Sequence, residues 1–172
     1  MIASGSLVVP NTPHIGAAWD KPTTTRWNPS AKGENCIACV SSYITDKVPS
    51  LNFKTADDIE RIIASVDPSR GLQLNDAIDI IRKSAKVDAL PPGRSPFVKD
   101  AEPGHYAVFL GSDRNKLKHV FHAEVLPNQG GLRMFDPQNG QVVRMGDLDS
   151  LRIKWGGHRK SPIVPVFIRG SE

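Results

Sequence analysis

The runs His119-Val120-Phe121-His122-Ala123-Glu124-Val125-Leu126 and Leu132-Arg133-Met134-Phe135-Asp136, joined through Asn128-Gln129-Gly130-Gly131, decide the fold class. Both runs are rich in β-formers, and the joining residues are a turn signal, so the segment reads as an antiparallel hairpin. Side chains alternate between faces along a strand. His119 therefore shares a face with Phe121, Ala123 and Val125, and His122 shares the other with Val120 and Glu124. In the second run Leu132, Met134 and Asp136 lie together. Joining the two inward faces brings Asp136 or Gln138 close to His119.

Period-two runs also occur on either side of the hairpin. His105 to Leu110, Gln141 to Met145 and Ile163 to Ile168 read as strands, with turns at Gly111-Ser112-Asp113 and Asn139-Gly140. Pro162 and Pro165 place the last strand at a sheet edge, because proline cannot donate to a ladder. Asp147 to Leu151 reads as a helical turn. Before residue 100 the period is helical instead. Ile37, Val40, Ile44 and Val48 form one stripe, flanked by Cys36, Tyr43 and Lys47. Asn35 is the N-cap of this helix of about 12 residues, and Pro49 stops it. A second helix opens at Thr55 with Asp57 and Asp58 in its first turn, buries Ile59, Ile62, Ile63 and Val66, and ends at Pro68 and Gly71. A third opens at Asn75, buries Ala77, Ile78, Ile81 and Ala85, and is broken by Pro91-Pro92-Gly93. Helices first and strands afterwards predict an α+β domain with a mostly antiparallel sheet.

At 172 residues, 39% hydrophobic and 23% charged, the chain is expected to be one globular domain with its own core. Residues 1–32 hold Pro10, Pro13, Pro22 and Pro29 and read as a proline-rich arm or linker. Trp19 and Trp27 favour an arm that docks. The domain proper is then 33–172. The net charge is +4 and the pI about 9.2, but the basic residues are scattered, so a nucleic-acid partner is not expected. No segment approaches the roughly 18 apolar residues of a membrane span. No signal peptide is visible at the N-terminus.

Cys36 and Cys39 are too few for a disulfide framework and lack the further ligands of a structural zinc site, so neither metal nor cofactor is expected. A redox pair would follow a strand, and no strand-like run precedes Asn35. At the start of a helix, however, Cys36 meets free N–H groups and the positive end of the dipole. Both favour a thiolate, and the same N–H groups can hold an oxyanion. Cys39, one turn deeper, is expected to pack against the sheet. A nucleophilic thiol needs a base and a group that orients the base. Among the five histidines, His14 lies in the arm and His158 in a basic loop. His119 has the acid or amide of the next strand beside it, and His105 is the competing base.

The order Asn35-Cys36-Ile37-Ala38-Cys39, Pro103-Gly104 followed by His105-Tyr106-Ala107-Val108-Phe109-Leu110-Gly111-Ser112, His119-Val120-Phe121, and Phe135-Asp136-Pro137-Gln138-Asn139-Gly140 resembles the papain-fold toxin domains of bacterial polymorphic and secreted toxins. Within that group it is most similar to the glutamine deamidases. The resemblance spans about residues 33 to 145 as ordered motifs. It implies a papain-like cysteine hydrolase fold and a Cys-His-Asp triad: Cys36 the nucleophile, His119 the general base, Asp136 its orienter. Asn35 and Gln138 would support the site. The family commonly has Asn where this chain has His122, which favours His119 as base and leaves His122 without a role. It also implies a secreted or translocated protein whose C-terminal part acts on a target-cell protein, with a cognate immunity protein or chaperone as partner. A cysteine peptidase uses the same chemistry. A non-enzymatic binding module and a Cys36–Cys39 redox pair are the rivals from other classes.

Overall fold

The computed structural model describes residues 23–33, 35–63, 73–91, 94–113, 116–128 and 130–170. Among the described residues three helices come first: α1 (Cys36–Lys47), α2 (Ala56–Ile62) and α3 (Leu74–Ala85). Strands β1 (Val87–Leu90), β2 (Gly104–Asp113), β3 (Lys116–Val125), β4 (Leu132–Asp136) and β5 (Gln141–Val143) follow. A 3-10 turn (Met145–Asp147), α4 (Leu148–Gly156) and β6 (Ile163–Gly170) complete the chain. The strands form a six-stranded antiparallel sheet in the order β1-β6-β2-β3-β4-β5. The architecture is α+β, with the N-terminal helices packed on the sheet.

The apolar stripes dictate the layers. Ile37, Val40, Ile44 and Val48 of α1 meet Ala77, Ile80 and Ile81 of α3 and the Ala107, Phe109 and Val120 face of the sheet. On the opposite face Tyr106, Val108, Leu110, Phe121 and Met134 pack with Leu148 and Leu151 of α4. Each fully buried Leu, Ile or Phe contributes roughly 1.5–3 kcal/mol. α1 is buried on several sides, Ala38, Cys39, Ser41, Ser42 and Thr45 included. Helix α2 has the Thr55–Asp58 capping box that its first turn predicts.

Several local expectations change. The four-residue β1 was not legible: Lys86 closes α3 in the left-handed conformation, and the chain re-enters the sheet before Pro91. In α2 Ile62 is exposed, and in α3 Ile80 joins the core while Ile78 is only partly buried. Val66, Pro68 and Gly71 lie outside the described residues. Strand β2 runs through Gly111 to Asp113, with register shifts where a turn was expected. The reading from 147 to 151 is the front of a longer helix, α4. Strand β6 is interior, between β1 and β2. Pro165 pairs with Val108 of β2, and β1 covers only Phe167 to Gly170, so on its other side Pro165 has no β1 partner.

Residues 23–33 dock on this frame. Trp27 sits edge-on against Tyr43 and Phe135, at ring-centroid distances of 4.8 and 5.3 Å, and donates its indole N–H to Asp46 at 3.0 Å. Trp19 and the prolines before Pro29 lie outside the described residues. No described helix is long and apolar enough to cross a membrane.

Candidate active site

The β3–β4 ladder stops at the pair His122 and Phe135. Beyond it the chain turns away through Pro137 to Gly140, with Gly140 at φ 74° and its N–H bonded to the Asp136 carbonyl at 2.8 Å. Residues 119–121 of β3 are therefore left without a β4 partner, and the start of α1 comes up against this end. Three residues predicted from separate segments meet there: Cys36, His119 and Asp136.

His119 Nε2 lies 2.5 Å from Asp136 Oδ2, and both side chains are buried. The Cys36 thiol lies near the same ring, close enough to act on its charge. Cys36 itself is partly exposed. Burial works against a charge on His119. The Asp136 carboxylate and its hydrogen bond, with a smaller contribution from Cys36, outweigh that and raise the imidazole to about 10. At neutral pH the His119 ring thus carries a proton beside Asp136. Asp136 is held in turn: its Oδ1 accepts the Gln138 N–H at 3.0 Å, and its Oδ2 accepts from Asn139 Nδ2 at 3.5 Å. Trp155 of α4 stacks on the His119 ring, with centroids 4.6 Å apart and planes 11° apart.

Asn35 holds the N-cap position, but its side chain caps nothing. It accepts from Gln138 Nε2 at 3.2 Å and donates to Asn28 Oδ1 at 3.0 Å. The N–H groups of the first turn, Cys36 and Ile37 among them, are consequently not engaged by the cap and face the thiol end of the helix. That is the arrangement an oxyanion requires. Asn28, fully buried, also donates to the Gln138 carbonyl at 3.0 Å, and Thr25 Oγ1 donates to the Pro137 carbonyl at 2.9 Å. The segment before α1 thereby fixes both the cap and the Asp136 turn. Asn28→Ala should lower stability by about 2–3 kcal/mol, because it strands several buried polar partners; a thermal or urea melt measures it.

Cys39 packs against Ala56 and Ile59 of α2, not against the sheet. Burial, the first cause, and then the Cys36 charge push its thiol far up. In the native protein at neutral pH iodoacetamide should therefore label Cys36 and leave Cys39 intact, by at least a hundred-fold in rate on the order expected from thiolate fraction and access. Peptide mapping reads the result. Equal labelling would contradict the geometry.

His105, the competing base, is tied elsewhere: its Nδ1 lies 2.9 Å from His122 Nε2. Burial holds His122 well below its usual range, with the charges of His105 and Lys47 adding to it. Burial also lowers His105, against Glu124. The pair is neutral and packs on Tyr43 through His122. His158 lies on an exposed turn, and His14 is outside the described residues. Among the described residues no group of three or more His, Cys, Asp or Glu could hold a metal ion.

Two contributors escaped the sequence reading. Asn28 sits in a proline-rich stretch without periodicity, and only its burial reveals it. Trp155 lies past the point where the helical reading stopped. No protein-family model and no curated protein matches the chain.

Proposed function

We propose that this protein is a thiol-dependent amidohydrolase of papain-like fold, a bacterial toxin or effector domain that deamidates a glutamine in a target-cell protein. The observation that carries the reading is the meeting of a partly exposed Cys36 at a helix start with His119, whose ring is hydrogen-bonded to buried Asp136. Packing alone would not require the polar contacts that hold His119 on Asp136 and Asp136 on Gln138 and Asn139.

In the proposed reaction the Cys36 sulfur attacks the side-chain carbonyl carbon, and its proton resides on His119. The tetrahedral oxyanion lies against the backbone N–H groups of the α1 start. His119 gives its proton to the leaving nitrogen, and ammonia departs as the C–N bond breaks, leaving an acyl-thioester. Water then adds, with His119 taking its proton, and the thioester opens to glutamate and free Cys36. Asp136 holds the imidazole in one tautomer and stabilises its charge throughout. A cysteine peptidase follows the same steps with a main-chain amine leaving. The resemblance in motif order from Cys36 to Gly140 favours the deamidase and supplies the expectation of delivery from another cell and of a cognate neutralising partner.

Intracellular expression tests the reading. The parent chain and Cys39→Ala should both arrest growth, and Cys36→Ala should not. A Cys36→Ala chain as toxic as the parent would remove the catalytic reading in favour of a binding module. Equal dependence on both cysteines would favour redox chemistry.

A further inference from the structure

The sheet face that carries the N-terminal helices is covered by Tyr43 and Trp27 at His122 and Phe135 and is exposed at Arg133, Val142 and Arg144, and strand register sorts its side chains into two rows. One row is Ala107, His122, Phe135 and Val142; the next is His105, Glu124 and Arg133. Continuing the β4–β5 register by one residue sets Arg144 opposite Arg133. Like charges directly opposite on one face destabilise a strand pair. Neither guanidinium makes an ion pair among the described residues. Glu124 stands across from Arg133 without an ion pair, Asp147 accepts the backbone N–H of Arg144 and attracts its charge, and Lys47 pairs with Asp46 at 3.6 Å. With Lys47 of α1, the two arginines line a cavity of about 480 Å³ that excludes Cys36 and His119.

The apolar part of the same surface is open. Val142 is 62% exposed and Met145 54% exposed, both in the wall of this cavity. Strand β5 is the last of the sheet and only three residues long, so among the described residues the outward N–H and C=O groups of its far side have no strand partner. A single charge would suffice to discourage strand addition at such an edge. Two opposed cations beside an exposed Val are instead a place where carboxylates and an apolar side chain fit together.

We propose that the β5 edge is a docking surface for an extended acidic segment of another protein. The segment adds a strand outside β5, sets an apolar side chain against Val142 and Met145, and brings carboxylates to Arg133 and Arg144 on the same face two residues further along. Charge complementarity favours this occupant over a second copy of a chain whose net charge is +4. The surface begins about two helical turns along α1 from Cys36, at Tyr43. It does not depend on the hydrolase reading.

The test titrates isotope-labelled full-length chain with the synthetic peptide Thr-Val-Thr-Glu-Thr-Glu-Thr and with its Glu-to-Lys counterpart, following backbone amides by NMR. Saturable shifts confined to Gln141 through Met145 and the facing strands are expected with the acidic peptide only. They should weaken with added salt. The double substitution Arg133→Glu with Arg144→Glu should cost the acidic peptide about ten-fold or more in affinity. It should also transfer binding to the lysine peptide, which proves the variant folded. Absence of saturable shifts, equal binding of the two peptides, or full displacement by inorganic phosphate would overturn the proposal. So would self-association of the parent chain in sedimentation that the double substitution abolishes, since that assigns the edge to a second copy.

Discussion

Cys36→Ala is expected to reduce ammonia release from target-cell protein by about ten-thousand-fold or more while leaving the fold intact. The substitution removes the sulfur that would form the acyl bond in the proposed reaction, and the other cysteine cannot replace it: Cys39 is buried under α2 and carries a thiol pushed far up by burial. Stability should change by no more than about 1 kcal/mol, because Cys36 is partly exposed and Ala suits a first helical turn. Cys39→Ala reverses the pattern. It opens a small void between α1 and α2, lowers stability by about 1–2 kcal/mol and leaves turnover within a few-fold. Circular dichroism melts and an ammonia assay on both variants separate the two roles.

The second large effect falls on Asp136. Asp136→Ala should lower stability by about 3 kcal/mol near neutral pH and activity by roughly a hundred-fold or more. The carboxylate is fully buried and accepts from His119, from the Gln138 N–H and from Asn139, so truncation strands three donors at once. The stability difference has a pH signature. His119 is raised to about 10 in the folded protein, against roughly 6.5 for an unperturbed imidazole. Its contribution is therefore fully present below about pH 6.5 and is lost as pH rises through about 10. Wild type and Asp136→Ala should differ most at neutral and acid-neutral pH and converge toward pH 10. Urea melts across that range read the effect. A gap that widens with alkali would mean that His119 is not the partner Asp136 serves.

Legibility followed the strength of the period. The α1 stripe, the two β3 faces and the hairpin turn each repeat a physical constraint every two or every three to four residues, so parity placed Asp136 or Gln138 beside His119. Where a residue's role came from a single long-range contact, no period announced it. Asn35 reads as a cap by residue type, yet the structure directs its amide to Gln138 and Asn28 and leaves the helix N–H groups unengaged by it. Pro165 reads as an edge marker, and it is one only for the half of β6 that outruns β1. His122 had no role in the sequence, and the structure gives it a neutral partner in His105. Strand β1 is too short to show alternation, and Trp155 reaches His119 only because α4 continues past its readable start.

The most direct measurement of the central claim is mass spectrometry of target-cell proteins after incubation with the parent chain and, in parallel, with Cys36→Ala. The parent should convert a defined glutamine to glutamate, and Cys36→Ala should leave it unchanged. New peptide termini without that conversion would move the assignment to the peptidase reading. Identical spectra for the two chains, with neither glutamate formed nor termini created, would contradict the account.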